Sequence, residues 1–122
     1  MAYIEGLVVP ATTSRKADYR KMVDDWHKLL KEYGATRVVE CWGNDVPDGK
    51  VTDFKRSVQA ESSETVCVSL IIWPSKQVRD AGNEKMRTDP RAKMPDNVPF
   101  NLQRMIYGGF EVLVDSAGEL TR

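Results

Sequence analysis

The chain has 122 residues, the size of one folded domain, and we expect residues 1–122 to form a single domain. Its 18 basic residues balance 18 acidic ones, which argues against nucleic acid or an anionic membrane as a partner, because both require a basic surface. No apolar run approaches the roughly 18 residues of a membrane span, and the first residues lack a signal-peptide pattern. With only two cysteines, Cys41 and Cys67, the composition predicts a cytoplasmic protein.

The first half of the sequence predicts a strand, a helix and a second strand. The first strand runs from Tyr3 to Val9 and is stopped by Pro10, and Thr12 to Ser14 offer N-caps for the helix. Apolar residues then recur at three- and four-residue steps as far as the stop at Gly34: Tyr19, Met22, Val23, Trp26, Leu29, Leu30 and Tyr33. The second strand covers Thr36 to Trp42.

The second half predicts two strands separated by a weaker helix. A polar connection from Gly43 to about Ser63 comes first, and part of it, Val51 to Ala60, is a candidate extension of the sheet. In chain order there follow a β-branched strand from Thr65 to Trp73, a helix opened by Pro74 and Ser75 that continues to about Thr88, a loop over 91–103 and a strand from Arg104 to Val114. The order βαββαβ predicts the α+β ferredoxin-like fold, a four-stranded antiparallel sheet with both helices on one face.

Period-two alternation sorts the strand residues onto two faces. One set is almost wholly apolar, and we expect it beneath the helices: Ile4, Gly6, Val8, Val39, Cys41, Val66, Val68, Leu70, Ile72, Ile106, Gly108, Phe110 and Val112. The other mixes large apolar residues with carboxylates: Tyr3, Glu5, Leu7, Val9, Val38, Glu40, Trp42, Thr65, Cys67, Ser69, Ile71, Trp73, Tyr107, Gly109, Glu111 and Leu113. A large exposed apolar patch marks an interface, so we expect a homodimer through this open sheet face, with a barrel-like interior. The same sorting predicts that Cys41 and Cys67 lie on opposite faces and form no disulfide.

Several runs resemble those of the YbaA-like family of uncharacterised bacterial proteins. They are Val38 to Pro47, Gly49 to Phe54, Arg104 to Glu111 and the opening Tyr3 to Gly6, where we associate an aspartate with the position of Glu5. The resemblance covers nearly the whole chain and implies a place among the dimeric α+β barrels, in agreement with the analysis of the faces. It implies no activity.

Three carboxylates share one predicted face. We expect the first strand between the third and the second, with the fourth beside the second, so that Glu5, Glu40 and Glu111 become near neighbours. Clustered carboxylates raise one another's proton affinity, which suits general acid/base catalysis or cation binding. The alternative is that basic residues of a partner subunit neutralise them.

Four aromatic residues, Trp42, Tyr107, Tyr3 and Trp73, are candidates for the wall of a small-molecule site or, alternatively, for interface anchors. The only histidine, His27, is predicted to flank its helix. The chain has no metal-ligand spacing, nucleotide-binding loop or catalytic triad, so we expect no metal and no cofactor.

Two functions remain open at this point. The first is a dimeric module that binds a small molecule or a protein partner. The second is a cofactor-independent enzyme, monooxygenase- or isomerase-like, in which Glu40 and Glu111 transfer protons while Tyr107 and Trp42 position the substrate. The second rests on analogy of fold.

Overall fold

A computed structural model describes all residues, 1–122. The strands are β1 (Tyr3–Thr12), β2 (Arg37–Trp42), β3 (Glu64–Trp73) and β4 (Ile106–Glu111), and the helices are α1 (Lys16–Glu32), α2 (Phe54–Ser57) and α3 (Lys76–Thr88). All strand pairs are antiparallel, and the main elements follow the predicted βαββαβ order, which confirms the α+β ferredoxin-like fold. None of the helices combines the length and the apolar character that crossing a membrane requires.

The strand order is β2-β3-β1-β4, so the predicted order was wrong. The connection through α1 carries the chain past one strand position, and β3 fills the gap between β1 and β2. Strand β4 then adds on the free edge of β1. As a result Glu5 and Glu40 lie on opposite sides of β3, where Glu5 is paired with Ile71 and Glu40 with Ser69.

Helix α1 ends as predicted at Gly34, whose φ of 120° lies in the left-handed region that favours glycine. The Gly34 amide donates to the Lys31 carbonyl at 3.1 Å, and the Ala35 amide donates to the Leu30 carbonyl at 3.0 Å. These two bonds form a Schellman motif, which satisfies the last carbonyls of the helix. At its start none of the three predicted caps acts through its side chain, because a 3-10 turn, Thr13–Arg15, precedes the helix.

Two local predictions were wrong. Strand β1 continues through Pro10, because the Pro10 carbonyl accepts from the Asn101 amide at 3.0 Å. A strand residue directs its N–H and C=O to the same side of the strand. The carbonyl of Pro10 points to Asn101 and away from β3, so the absence of an N–H at Pro10 removes no hydrogen bond between β1 and β3. The connection after β2 does not extend the sheet, since Asp53 caps the short helix α2 through the Arg56 amide at 2.7 Å.

The assignment of the two sheet faces was also wrong. The mixed set lies beneath the helices: fully buried Trp73 packs against Gly82 of α3, and Tyr19 of α1 stacks edge-on to Trp42 with ring centroids 5.5 Å apart. Alternation separates two faces but does not say which one the helices cover. Buried carboxylates are acceptable on the helix side because the chain's own helices bring donors to them, as described below.

Most of the apolar set lies on the side of the sheet opposite the two long helices, which we call the open face: Ile4, Gly6, Val8, Val39, Cys41, Val68, Leu70, Ile106, Gly108 and Phe110. Val66, Ile72 and Val112, the other members of that set, are buried. Gly6 and Gly108 are paired across β1 and β4, and the Phe110 ring lies over both of them. Leu70, Ile106 and Phe110 are among the exposed large hydrophobic residues of the chain. The two long helices therefore leave exposed apolar side chains on the opposite side of the sheet.

Candidate functional site

A cavity of about 280 Å³ lies between the helix side of the sheet and the two long helices. Leu7, Val9 and Ile71 form part of its floor, and α1 contributes Met22, Val23 and Trp26. Fourteen of the eighteen residues around it are hydrophobic, and the only charged side chains among them are Glu5 and Glu40. The site is thus an apolar space with two carboxylates in its wall.

The segment between α3 and β4 closes one side of the cavity. Met94 and Phe100 line it, and Phe100 also packs edge-on against Tyr19 with ring centroids 5.9 Å apart. A short pairing of Phe100 with Ala11 and the bond from the Thr12 amide to the Pro99 carbonyl, at 2.9 Å, attach this segment to the end of β1. The loop predicted over 91–103 is therefore packed against its own domain and forms one wall of the cavity.

Glu40 is held by donors from two different elements. Its Oε2 atom accepts from the Ser69 hydroxyl of β3 at 2.6 Å and from the Tyr19 hydroxyl of α1 at 3.1 Å. Its other oxygen, Oε1, accepts no hydrogen bond within the chain, although the side chain is only 13% exposed. Glu40 thus combines a fixed position with one unused acceptor.

His27 lies beside that unused oxygen. Its Nε2 atom is 3.7 Å from Glu40 Oε1, is buried and has no hydrogen-bond partner. The half-buried position of His27 agrees with its predicted place at the flank of α1, and the sequence named no partner for it. The structure thus places the only imidazole of the chain beside Glu40, one of the two acid/base candidates from the sequence.

Glu5 has a more complete set of partners. Its Oε1 accepts from the Trp73 indole at 2.8 Å, and its Oε2 lies 3.4 Å from the Arg79 guanidinium and 3.3 Å from the Asn83 amide. The Arg79 guanidinium also stacks on the Tyr3 ring, 4.8 Å from its centroid. The neutralising cation expected from a partner subunit therefore comes from α3 of the same chain.

The remaining predicted residues are dispersed. Glu111 is exposed at the end of β4, paired with Tyr3, and lies outside the cavity. Of the four aromatic candidates only Tyr107 lines the cavity, and its side chain is 74% exposed. Trp42 and Trp73 pack into the two core clusters, and Tyr3 packs beside Trp73.

Burial and the Glu40 carboxylate raise the pKa of the Tyr19 hydroxyl, so this group acts as a hydrogen-bond donor at neutral pH. Burial also raises the pKa of the neighbouring Cys67 thiol to about 11. Cys67 and Cys41 are both free thiols on opposite faces of the sheet, as predicted. Nowhere in the chain do three His, Cys, Asp or Glu side chains come close enough to share a metal ion.

The family model for a protein of unknown function, DUF1428, matches residues 2–102. The chain belongs to this DUF1428 family. It is 53% identical over 116 residues to the uncharacterised protein YbaA of Escherichia coli strain K12, a match that covers 94% of this chain and 99% of YbaA, and it is equally similar to YbaA of Shigella flexneri. Among solved structures, a dimeric ferredoxin-like protein from an uncultured marine organism aligns with a TM-score of 0.50 and 9% identity, covering 94% of this chain and 99% of that one.

These comparisons confirm the resemblance to the YbaA-like family and the ferredoxin-like fold of this DUF1428 protein. Strand parity could not identify Tyr19 and His27 as partners of Glu40, because both lie on α1, or Arg79 and Asn83 as partners of Glu5, because both lie on α3. The sequence carries little signal for these contacts. Tyr19 and His27 are eight residues apart, which places them about 80° apart around α1 and not on one stripe.

Proposed function

We propose that this protein is a dimeric module that binds a small molecule in the cavity between its sheet and its helices. The observation that carries the proposal is the apolar cavity of about 280 Å³ with the Glu40 carboxylate in its wall. Ligand sites are typically apolar spaces of about 300 to 1,000 Å³ with a few fixed polar groups. This cavity lies just below the small end of that range.

Glu40 supplies the fixed polar group. Ser69 of β3 and Tyr19 of α1 both donate to Oε2, so that the Glu40 side chain loses little further freedom when a ligand contacts Oε1. The other oxygen, Oε1, has no hydrogen-bond partner in the chain, and a hydrogen bond to a charged acceptor stabilises a bound donor more than a neutral one does. The chain therefore has both the space and the anchoring group that ligand binding requires.

The dimer is proposed from the open face. Contiguous apolar surface of this kind is rare on monomeric proteins, and two flat sheets bury it best when packed face to face. The interface residues proposed here are those of the apolar set, including Leu70 and Phe110, in place of the mixed set favoured by the sequence.

The assembly is tested with Leu70→Arg, which places a charge near the middle of the open face. We expect this variant to be monomeric by light scattering or sedimentation velocity, because an unpaired charge in an apolar interface is strongly unfavourable. Leu113→Arg, at a position that is 92% exposed outside the face, serves as the matched control and should remain dimeric. A monomeric wild-type protein at micromolar concentration would refute the dimer.

Binding is tested by a thermal-shift screen of small metabolites against the wild type, Met22→Trp and Lys21→Trp. Met22 lines the cavity, so the larger side chain is expected to fill it, whereas Lys21 is exposed on the same helix. A ligand that binds only the folded state raises the melting temperature. Hits lost in Met22→Trp and kept in Lys21→Trp support the cavity, and a flat screen over a broad panel contradicts the proposal.

A cofactor-independent enzyme is the second candidate, and the contact of His27 with Glu40 favours it. Histidine is the side chain used most often for general acid/base catalysis, and a carboxylate 3.7 Å away can orient its ring. Glu111, the other acid/base candidate from the sequence, is exposed outside the cavity. Turnover of a screening hit by the wild type, abolished in Glu40→Gln with binding retained, would establish the enzyme. Binding without turnover in both would establish the module.

A further inference from the structure

From the charges around the cavity we infer that its ligand is a small amine, bound as an ammonium cation with its charge on Glu40 Oε1 and its apolar body against the cavity walls. The inference rests on the proposed binding function and specifies the chemical class of ligand.

The cavity carries negative charge without a cation of its own. No lysine, arginine or histidine lines it, and its two charged side chains are Glu5 and Glu40. The charge of Glu5 is compensated by Arg79 from outside the cavity, and Trp73 and Asn83 donate to the same carboxylate. Both oxygens of Glu5 are therefore already hydrogen-bonded within the chain.

Glu40 differs from Glu5 in two respects: no cation donates a hydrogen bond to it, and one of its oxygens accepts no hydrogen bond within the chain. Its two donors, Ser69 and Tyr19, are neutral hydroxyls, and both bind Oε2. The only basic group near Oε1 is His27, whose Nε2 atom stops 3.7 Å away without forming a hydrogen bond. His27 Nε2 is the only buried side-chain polar atom without a partner, so the unbonded Oε1 of Glu40 must retain some accessible surface. Because Glu40 lines the cavity, the inference places the ligand's donor at this oxygen.

The walls favour the same class of ligand. Tyr19, Trp26 and Phe100 present aromatic surface to the cavity. Aromatic faces attract cations, and a carboxylate in apolar surroundings strengthens that preference, because the charges are poorly screened there. An anionic ligand would meet the opposite conditions. A neutral alcohol could donate to Oε1 but would leave the carboxylate charge uncompensated.

The test uses three probes with one aromatic body: benzylamine, benzyl alcohol and benzoate. Dissociation constants are measured at pH 7 by calorimetry or ligand-observed NMR for the wild type, Glu40→Gln and Glu111→Gln. We expect benzylamine to bind the wild type at least about tenfold more tightly than benzyl alcohol, because a hydrogen bond to a charged group is worth more than a neutral one. Benzoate should bind most weakly.

Glu40→Gln should abolish the preference for benzylamine, while Glu111→Gln, which removes an exposed carboxylate outside the cavity, should preserve it. Equal binding of amine and alcohol by the wild type, or tighter binding of benzoate, would overturn the inference and leave the cavity as a binding site. Binding of none of the three probes, together with a flat metabolite screen, would refute the proposed function itself. The comparison of probes on the wild type keeps the test decisive even if Glu40→Gln does not fold.

Discussion

The indole ring of Trp73 lies directly against Gly82 of α3. A Cβ atom at residue 82 would be 2.6 Å from two carbons of that ring and 3.2 Å from the Tyr33 carbonyl oxygen. Trp73 is fully buried, so its ring has no free space into which it can move. Glycine at this position sets how closely α3 packs on the sheet, and with it the position of the helix that brings Arg79 and Asn83 to Glu5.

Gly82→Ala is therefore expected to destabilise the protein by about 1 to 3 kcal/mol, the usual cost of overpacking a core. Helix propensity alone predicts the opposite sign, since alanine is better than glycine inside a helix by about 1 kcal/mol. Urea unfolding measures the difference. The exposed neighbour provides a reference: Ala81→Gly reports the propensity effect in the same helix. A Gly82→Ala variant more stable than the wild type would show that the ring contact is not tight.

The pair of Glu5 and Arg79 provides a second prediction. Arg79→Met leaves the Glu5 carboxylate, which is 13% exposed, without its cation, and we expect the free energy of unfolding to fall by about 1 to 3 kcal/mol. The double variant Glu5→Gln/Arg79→Met should recover part of this loss, because the unpaired charge is gone. Lys76→Met breaks an exposed pair with Asp80 on the same helix and should cost about 0.5 kcal/mol or less. Equal losses for Lys76→Met and Arg79→Met would contradict the prediction.

The ion pair of Glu64 and Arg104 should make stability depend on pH. The two hydrogen bonds from Arg104, both 2.7 Å, lower the pKa of Glu64 below its ordinary value of 4.5. A pKa that is lower in the folded than in the unfolded chain stabilises the fold above the unfolded value, and this contribution is lost as the pH falls through the folded value.

The loss of unfolding free energy caused by Glu64→Gln should therefore be largest above about pH 5 and shrink toward pH 3. Urea titrations of both proteins across this range measure it. Glu119→Gln, an exposed substitution in the C-terminal tail, is the parallel control for the change of net charge. A loss that is the same at every pH would show that the ion pair does not contribute through its charge.

The two cysteines should differ sharply in reactivity. Cys67 is fully buried and burial raises the pKa of its thiol to about 11, so little reactive thiolate forms at pH 8, whereas Cys41 is exposed on the open face. In the monomeric Leu70→Arg variant we expect Ellman's reagent to label one thiol per chain rapidly, and the second only after unfolding. If the wild type forms the proposed dimer through the open face, its Cys41 should react more slowly than that of Leu70→Arg. Rapid labelling of two thiols in the native chain would contradict the burial of Cys67.

Much of the fold could be predicted from local signals. The apolar spacing of α1, the Schellman stop at Gly34 and the cap at Ser75, which accepts from the Val78 amide at 3.2 Å, all depend on residues close in sequence. The faces of the sheet could be separated for the same reason. Which face the helices cover could not be predicted, because that depends on the close approach of Gly82 to Trp73 and on the donors that Arg79 and Tyr19 bring from distant positions.

The candidate site was predicted in part. Parity along the strands placed Glu5 and Glu40 on one face, and the structure places both in one cavity wall. The different surroundings of Glu5 and Glu40 could not be predicted. Tyr19 and His27 lie on α1, Arg79 and Asn83 lie on α3, and the sequence does not determine how these helices are rotated against the sheet. The prediction for Glu111 depended on the strand order. The sequence placed β4 beside β2, which made Glu111 a neighbour of Glu5 and Glu40, whereas β4 lies at the edge of the sheet beside β1.

Strand β3 alternates between two surfaces from one residue to the next. Ser69 and Ile71 line the cavity, while Val68 and Leu70 lie on the open face. Deletion of a single residue from the middle of this strand would exchange the two sets, bringing Leu70 toward Glu40 and Ser69 to the surface where two copies are proposed to meet. The length of β3 is therefore under tighter constraint than the identity of any one of its residues, and insertions or deletions in the chain belong in its loops.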